Sequence, residues 1–146
     1  MLYLDSSALV KKYLTEPGSH AVAARLTGSE VAFTSALSYA EIHAVLARKL
    51  REGGLDESDL RDAKDRFHSD WVHSLRILEL DTRTLGALQD LVLRYPLKGA
   101  DAVHVSSALW LRDYGRLPGI AFWAADKSLL RVASDCGLSI TNPETA

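Results

Sequence analysis

The feature that most restricts this chain is a series of short apolar runs, each closed by a small or polar residue and followed by a helical pattern. Leu2-Tyr3-Leu4, Val31-Ala32-Phe33-Thr34, Ile77-Leu78-Glu79-Leu80, Ile120-Ala121-Phe122-Trp123-Ala124 and Leu138-Ser139-Ile140 read as five strands. A strand with one face in water alternates apolar and polar residues. These runs are hydrophobic rather than alternating, so both faces must be covered, which indicates a parallel sheet between layers of helices. The helical patterns fall between the strands. Ser7 to about Leu14 is halted by Glu16-Pro17-Gly18, and Ser19 to Leu26 follows. A run opening at Ser38 carries Ile42, Val45, Leu46 and Leu50 at helical spacing and ends at Gly53-Gly54. Glu57 to His73 repeats apolar residues at Leu60, Ala63, Phe67 and Trp71 on one face only. Thr82 to Tyr95 stops at Pro96, Gly99 to Tyr114 is apolar on most sides and so expected at the centre, and Lys127 to about Cys136 is the last. No repeat, low-complexity tract or linker breaks the pattern, and one α/β domain over 1–146 is expected at this length.

Composition removes several classes of function. Seventeen Lys and Arg against nineteen Asp and Glu leave a net charge of −2. That argues against a strongly basic nucleic-acid binder and a highly charged disordered chain, while leaving room for a local basic face. The single Cys136 allows no intrachain disulfide and no multi-cysteine metal site, and points to a reducing compartment. No run approaches the ~18 apolar residues of a membrane-crossing helix. Asp5 stands where a secretory signal carries basic residues. A soluble, cytoplasmic protein with no membrane partner is expected.

Open parallel sheets bind ligands at the carboxyl ends of their strands, and four acids are expected there. Asp5 closes the first strand and Asp126 the fourth; Glu41 lies in the first turn of the helix after the second strand, and Asp101 in the first turn of the central helix. Each has a purely structural explanation. Asp5 and Asp126 precede helices and read as N-caps, Ser38-x-x-Glu41 matches a capping box, and Asp101 complements a helix dipole. The set is harder to explain so. Asp101 shares a helix face with Val105 and Ala108 and should point inward, and no basic residue sits at an obvious pairing distance from any of the four. Clustered carboxylates repel unless a cation neutralises them, and oxygen ligands without cysteine favour Mg²⁺ or Mn²⁺ over zinc. The residues alone therefore point to a divalent-metal site for phosphate chemistry.

Four segments also resemble, in order and at matching intervals, the motifs of PIN-domain ribonucleases. They are Leu4-Asp5-Ser6-Ser7-Ala8-Leu9-Val10-Lys11-Lys12-Tyr13, Ser38-x-x-Glu41, Lys98-Gly99-Ala100-Asp101-Ala102-Val103-His104 and Ala125-Asp126-Lys127-Ser128-Leu129. The size and the N-terminal strand resemble in particular the VapC-type toxins of toxin–antitoxin pairs. The likeness runs over essentially the whole chain; one motif alone is weak, four in order are specific. It implies a three-layer α/β/α sandwich around a short, mainly parallel sheet of about five strands. It implies Asp5 and Asp101 as principal metal ligands, with Glu41 and Asp126 completing the site directly or through water, and Ser7 supporting a ligand or a water. The implied activity is that of a Mg²⁺-dependent endoribonuclease, with Mn²⁺ as a substitute and Glu41 or Asp126 as general base. The implied partners are RNA, a small cognate antitoxin seated in the groove, and a second copy in a homodimer. The amphipathic helices at 41–50 and 57–73 are candidate surfaces for both protein contacts. One departure is Ala124, where the family often carries a hydroxyl residue two positions before the last acid.

On a chain of net charge −2, an RNA substrate needs a local electropositive rim. Lys98 and Lys127, beside the acids, and Lys11, after the first of them, are the expected phosphate contacts; Lys12, Arg48, Lys49, Arg51 and Arg131 are further candidates. The five histidines form no zinc pattern. His104, three residues after Asp101, reads as a packed, hydrogen-bonded residue, and His68 and His73 as solvent-facing or interface residues. Trp110, Trp123 and the tyrosines read as core or partner contacts, and Cys136 as a small buried hydrophobe. Rival enzymes fail on particular residues. A haloacid-dehalogenase-type phosphatase needs a second acid at Ser7, a receiver needs an acid pair after the first strand, and neither nucleotide-binding glycine motif is present. The alternative from another class is a PIN-fold module that binds RNA or a partner without cutting it.

Overall fold

The computed structural model describes residues 1–27 and 30–146. The chain runs β1 (Leu2–Leu4), α1 (Ser6–Leu9) continued by a 3-10 turn (Val10–Lys12), α2 (Ser19–Arg25), β2 (Ala32–Ser35), α3 (Leu37–Arg51) and α4 (Glu57–His73). It then forms β3 (Leu75–Leu78), α5 (Leu88–Arg94), α6 (Gly99–Asp113), β4 (Ala121–Trp123), α7 (Lys127–Asp135) and β5 (Ser139–Thr141). The five strands make one sheet in the order β3-β2-β1-β4-β5, and every pairing is parallel. β1 lies at its centre, with Leu2 opposite Ala32 on one side and Ala121 on the other.

Successive residues of a strand point to opposite faces, and β1 divides its side chains accordingly. Leu2 and Leu4 enter a core with Leu9, Val22, Ile42, Leu46 and Phe67, from α1 to α4. Tyr3 enters a second core with Leu91, Val105 and Leu129, from α5 to α7, and with Phe122 of β4. All three β1 residues are fully buried, which is why this strand carries no charged residue. The result is an α/β/α sandwich.

The differences from the sequence reading are local. The first helix is a single α-turn that tightens into 3-10 geometry before Tyr13. Thr82 to Ala87 is a set of turns, and α5 begins only at Leu88. There, Asp81 Oδ1 accepts from the amides of Arg83 and Thr84, while Ser106 Oγ donates to the Thr84 carbonyl and accepts from the Ala87 amide. These side-chain bonds give the backbone partners that a helix would otherwise supply. β3 starts at Leu75 instead of Ile77, because Leu75 and Leu78 are its buried residues and Leu80 faces out.

Lys11 requires a correction. The turn at Glu16-Pro17-Gly18 places Gly18 at φ +88°, and a Cβ there would lie 3.0 Å from the Pro143 carbonyl carbon. The C-terminal segment thus lies directly against this turn, in a close approach that suits glycine. Between them the Lys11 ammonium donates to Glu144 at 2.8 Å and Glu16 at 3.0 Å, and the residue is 4% exposed. It is a structural cation holding the chain's two ends together, not one offered to an RNA phosphate.

Candidate active site

The strand order reverses at β1: β2 and β3 extend the sheet one way, β4 and β5 the other. Where neighbouring connections depart to opposite faces, a crevice opens at the carboxyl ends of the strands. Asp5 follows β1 and Asp126 follows β4, so they flank this switch point, while Glu41 comes from α3 after β2 and Asp101 from the first turn of α6.

Both aspartate caps are present. Asp5, 5% exposed, uses Oδ1 to accept from the Ala8 amide at 3.0 Å and the Ser7 hydroxyl at 2.7 Å. Asp126 uses Oδ1 to accept from the amides of Ser128 and Leu129 at 2.7 and 3.0 Å. In each carboxylate the second oxygen lies outside the cap. Ser7 does more than hold Asp5. Its Oγ also accepts from the Ala125 amide at 2.8 Å, fastening the β1–α1 junction to the β4–α7 junction. That bond sits beside Ala124, where the side-chain hydroxyl is missing.

The capping-box reading of Ser38 and Glu41 is corrected. The cap position of α3 is Ala36, with no side-chain cap, and Ser38 lies inside the helix, buried, bonded to Thr34 at 2.6 Å and Ser6 at 3.1 Å. Glu41 turns instead to His104, whose Nε2 lies 2.7 Å from Oε2, and to the Ser6 hydroxyl, which donates to the same oxygen. One acid therefore does have a basic partner, 63 residues away along the chain. His104 is packed and hydrogen-bonded as expected. Ser6 and Tyr3, whose hydroxyl meets His104 Nδ1 at 2.9 Å, are participants that the sequence reading did not single out. The only trace of Ser6 in the sequence is the doubled hydroxyl of Asp5-Ser6-Ser7.

Burial and neighbouring groups shift three of the four acids. Burial pushes Asp5 above its ordinary carboxylate value, against His104, the Ser7 hydroxyl and the Ala8 amide, and Glu41 adds to the push. Burial and the nearby charges of Asp126 and Glu41 likewise raise half-buried Asp101, against His104 and Lys98. Glu41 goes the other way. Burial alone would raise it, but the hydrogen bonds from His104 and Ser6 bring it below its usual value.

Among the described residues, no three His, Cys, Asp or Glu side chains close into a ready-made cage for an ion. The donor set nonetheless fits a hard cation that retains water. Mg²⁺ keeps several waters and takes only one or two carboxylates, and the acids whose ionisation is suppressed are those a cation would relieve. Lys98, the cap residue of α6, and Lys127, the first residue of α7, are exposed next to Asp101 and Asp126. Trp123 is buried in the core, His68 and His73 are exposed, and Cys136 is half-buried.

Fold and site together define a class, and the comparisons agree with it. Residues 2–134 match the PIN domain model. Ribonuclease VapC45 of Mycobacterium tuberculosis is 37% identical over 123 residues, spanning 84% of this chain and 83% of its own length. The chain belongs to the PIN domain family, in the branch of the VapC proteins. Among solved structures, FitAcB from Neisseria gonorrhoeae superposes with a TM-score of 0.69 over 98% of both chains at 16% identity. VapC20 of M. tuberculosis, a Sarcin-Ricin loop cleaving toxin, superposes with 0.60 over 94% of this chain and 96% of its own at 17% identity. These two show the α/β/α fold. No helix among the described residues is long and apolar enough to cross a membrane.

Proposed function

We propose that this chain is a metal-dependent endoribonuclease, the toxin of a toxin–antitoxin pair, with Asp5, Glu41, Asp101 and Asp126 as its catalytic carboxylates. The observation that carries this reading is the gathering of four acids from four separate segments at one sheet edge, where burial and neighbouring acid charge hold Asp5 and Asp101 above their ordinary carboxylate values. The 37% identity to a ribonuclease supports it from outside the site.

When bound, Mg²⁺, or Mn²⁺ in its place, supplies a Lewis acid that neutralises charge on the phosphoryl oxygens. Asp5 and Asp101 are the acids suited to hold it, with Glu41 and Asp126 beside them. Hydrolysis adds water across the phosphodiester: a P–O bond forms, the bond to the leaving ribose oxygen breaks, and one proton passes from the water to that oxygen. A carboxylate carries the proton between them. Glu41, which His104 and Ser6 hold in its charged form, or exposed Asp126 is that carboxylate. Ser7 keeps Asp5 in place. Lys98 and Lys127 meet phosphates flanking the cut, positioning the strand without reading its bases. The same groove receives the antitoxin, and the chain works in the cytoplasm as a single domain and a homodimer.

The test is cleavage of a mixed RNA pool by antitoxin-free protein in Mg²⁺, in Mn²⁺ and in chelator, with Asp5→Asn and Asp101→Asn alongside. Cleavage that needs the metal and both acids is expected. Wild-type protein that binds RNA without cutting it would favour the non-cleaving PIN module. Cleavage that survives both substitutions would remove the acids from the mechanism.

A further inference from the structure

Glu41 is held by a buried polar chain that starts in the central strand. Tyr3 is fully buried in the central strand, its ring stacked on Phe122 at a centroid distance of 5.4 Å and an interplanar angle of 6°. His104 is 1% exposed on α6 and meets the Tyr3 ring nearly edge-on, 6.0 Å away at 72°. The hydrogen bonds run from Tyr3 Oη to His104 Nδ1 at 2.9 Å, and from His104 Nε2 to Glu41 Oε2 at 2.7 Å. They join β1, α6 and α3 through a layer that also holds apolar Phe122, Val105 and Ala108 and the buried Ser107. Apolar residues of the same volume would fill this space without any polar group to satisfy.

We propose that Tyr3 and His104 are positioning residues for Glu41, fixing which of its oxygens faces the site; this rests on the ribonuclease reading for its chemistry but not for its geometry. An ionised carboxylate only accepts, so the ring nitrogen facing it must donate. In the uncharged ring the other nitrogen then accepts, and the Tyr3 hydroxyl is the donor that meets it. Tyr3 therefore selects the Nε2–H tautomer of His104. The Ser6 hydroxyl reaches the same oxygen, Oε2, and is braced by Ser38, itself bonded to Thr34. Two donors converging on Oε2 leave Oε1 free for the crevice. Hydrogen bonds of this kind behind a ligand set its orientation and are commonly worth about 10–100-fold in metal affinity or activity.

Three variants and two readouts test this. Nitrogen NMR of the imidazoles reports the His104 tautomer, and calorimetric titration with Mn²⁺ reports affinity without any turnover. The wild type is expected to show Nε2–H, and Tyr3→Phe, which keeps the ring and its stacking, to show a share of Nδ1–H. His104→Leu is expected to weaken Mn²⁺ binding and lower kcat by about 10–100-fold with KM for RNA unchanged. His104→Gln, which retains an N–H, should recover most of both. If His104→Leu does not fold, the tautomer of the wild type and of Tyr3→Phe decides. An Nδ1–H imidazole in the wild type, or a folded His104→Leu with wild-type Mn²⁺ affinity and kcat, would overturn the proposal. A wild type that cuts no RNA, yet binds Mn²⁺ in a manner set by His104, would overturn the ribonuclease reading and leave this one standing.

Discussion

A carboxylate has two oxygens, and at the residue scale Asp5 and Asp126 each commit one of theirs, Oδ1, to capping a helix. The proposed catalytic role falls to the other oxygen, so the structural explanation of these acids does not compete with it. The division can be measured at Asp126. Asn is as good an N-cap as Asp, whereas Ala loses the cap at a cost of about 0.5–2 kcal/mol. Asp126→Asn should melt like the wild type while losing RNA cleavage, and Asp126→Ala should lose both; equal melting of the two variants would show that the cap contributes nothing. Asp5 and Asp126 were visible in the sequence because they stand at strand-to-helix junctions, Glu41 because it follows the second strand closely, and Asp101 because it shares a helix face with Val105 and Ala108. Their partners were not. Glu41 meets His104 across 63 residues and Ser6 across 35, and no local pattern records a hydrogen bond between segments that only the folded sheet brings together. Lys11 shows the same limit, since its sequence neighbourhood says nothing of Glu144, 133 residues later.

At the scale of elements, the strands were legible to within a residue or two because two-sided burial leaves a continuous apolar run, as β1 shows. Helix α4 was legible because Leu60, Ala63, Phe67 and Trp71 recur on one face, and Ala63 and Phe67 are its buried residues. Thr82 to Ala87 was not, since its apolar spacing suits a helix while its turns are set by Asp81 and by Ser106 from α6. Ser106 is 1% exposed, and Ser106→Ala would leave the Thr84 carbonyl and the Ala87 amide without that partner. A loss of about 1–3 kcal/mol is expected, with hydrogen exchange quickened in 82–90. Unchanged protection there would show that the turns hold themselves.

At the scale of the molecule, the ends of the chain are joined through Lys11, Glu16, Lys49 and Glu144, and this node sets part of the pH dependence of stability. Burial alone would raise Glu16, but Lys11 and Lys49 hold it below its ordinary 4.5. The unfolded chain then binds more protons in acid, so the contribution is present above the unfolded value and is lost as pH falls through the folded one. Burial alone would lower Lys11, but Glu144 and Glu16 raise it above 10.5, so its contribution is present below that value and lost as pH rises through the folded one. Asp5 and Asp101 have the opposite sign to Glu16. Their raised values cost stability near neutrality, a cost removed by acid. Thermal melts from about pH 6 to about pH 3 should therefore show a shallower acid-side decline in Glu16→Gln than in wild type; identical declines would take the node out of the balance. Binding of a divalent cation to the folded form should raise the midpoint by mass action. The location of that cation is the most direct test. Bound Mn²⁺ broadens the backbone amide signals of nearby residues, and broadening centred on Asp5, Glu41, Asp101 and Asp126, absent in Asp5→Asn/Asp101→Asn, is expected. Broadening centred elsewhere, or none at saturating Mn²⁺, would contradict a metal-dependent nuclease site at this edge of the sheet.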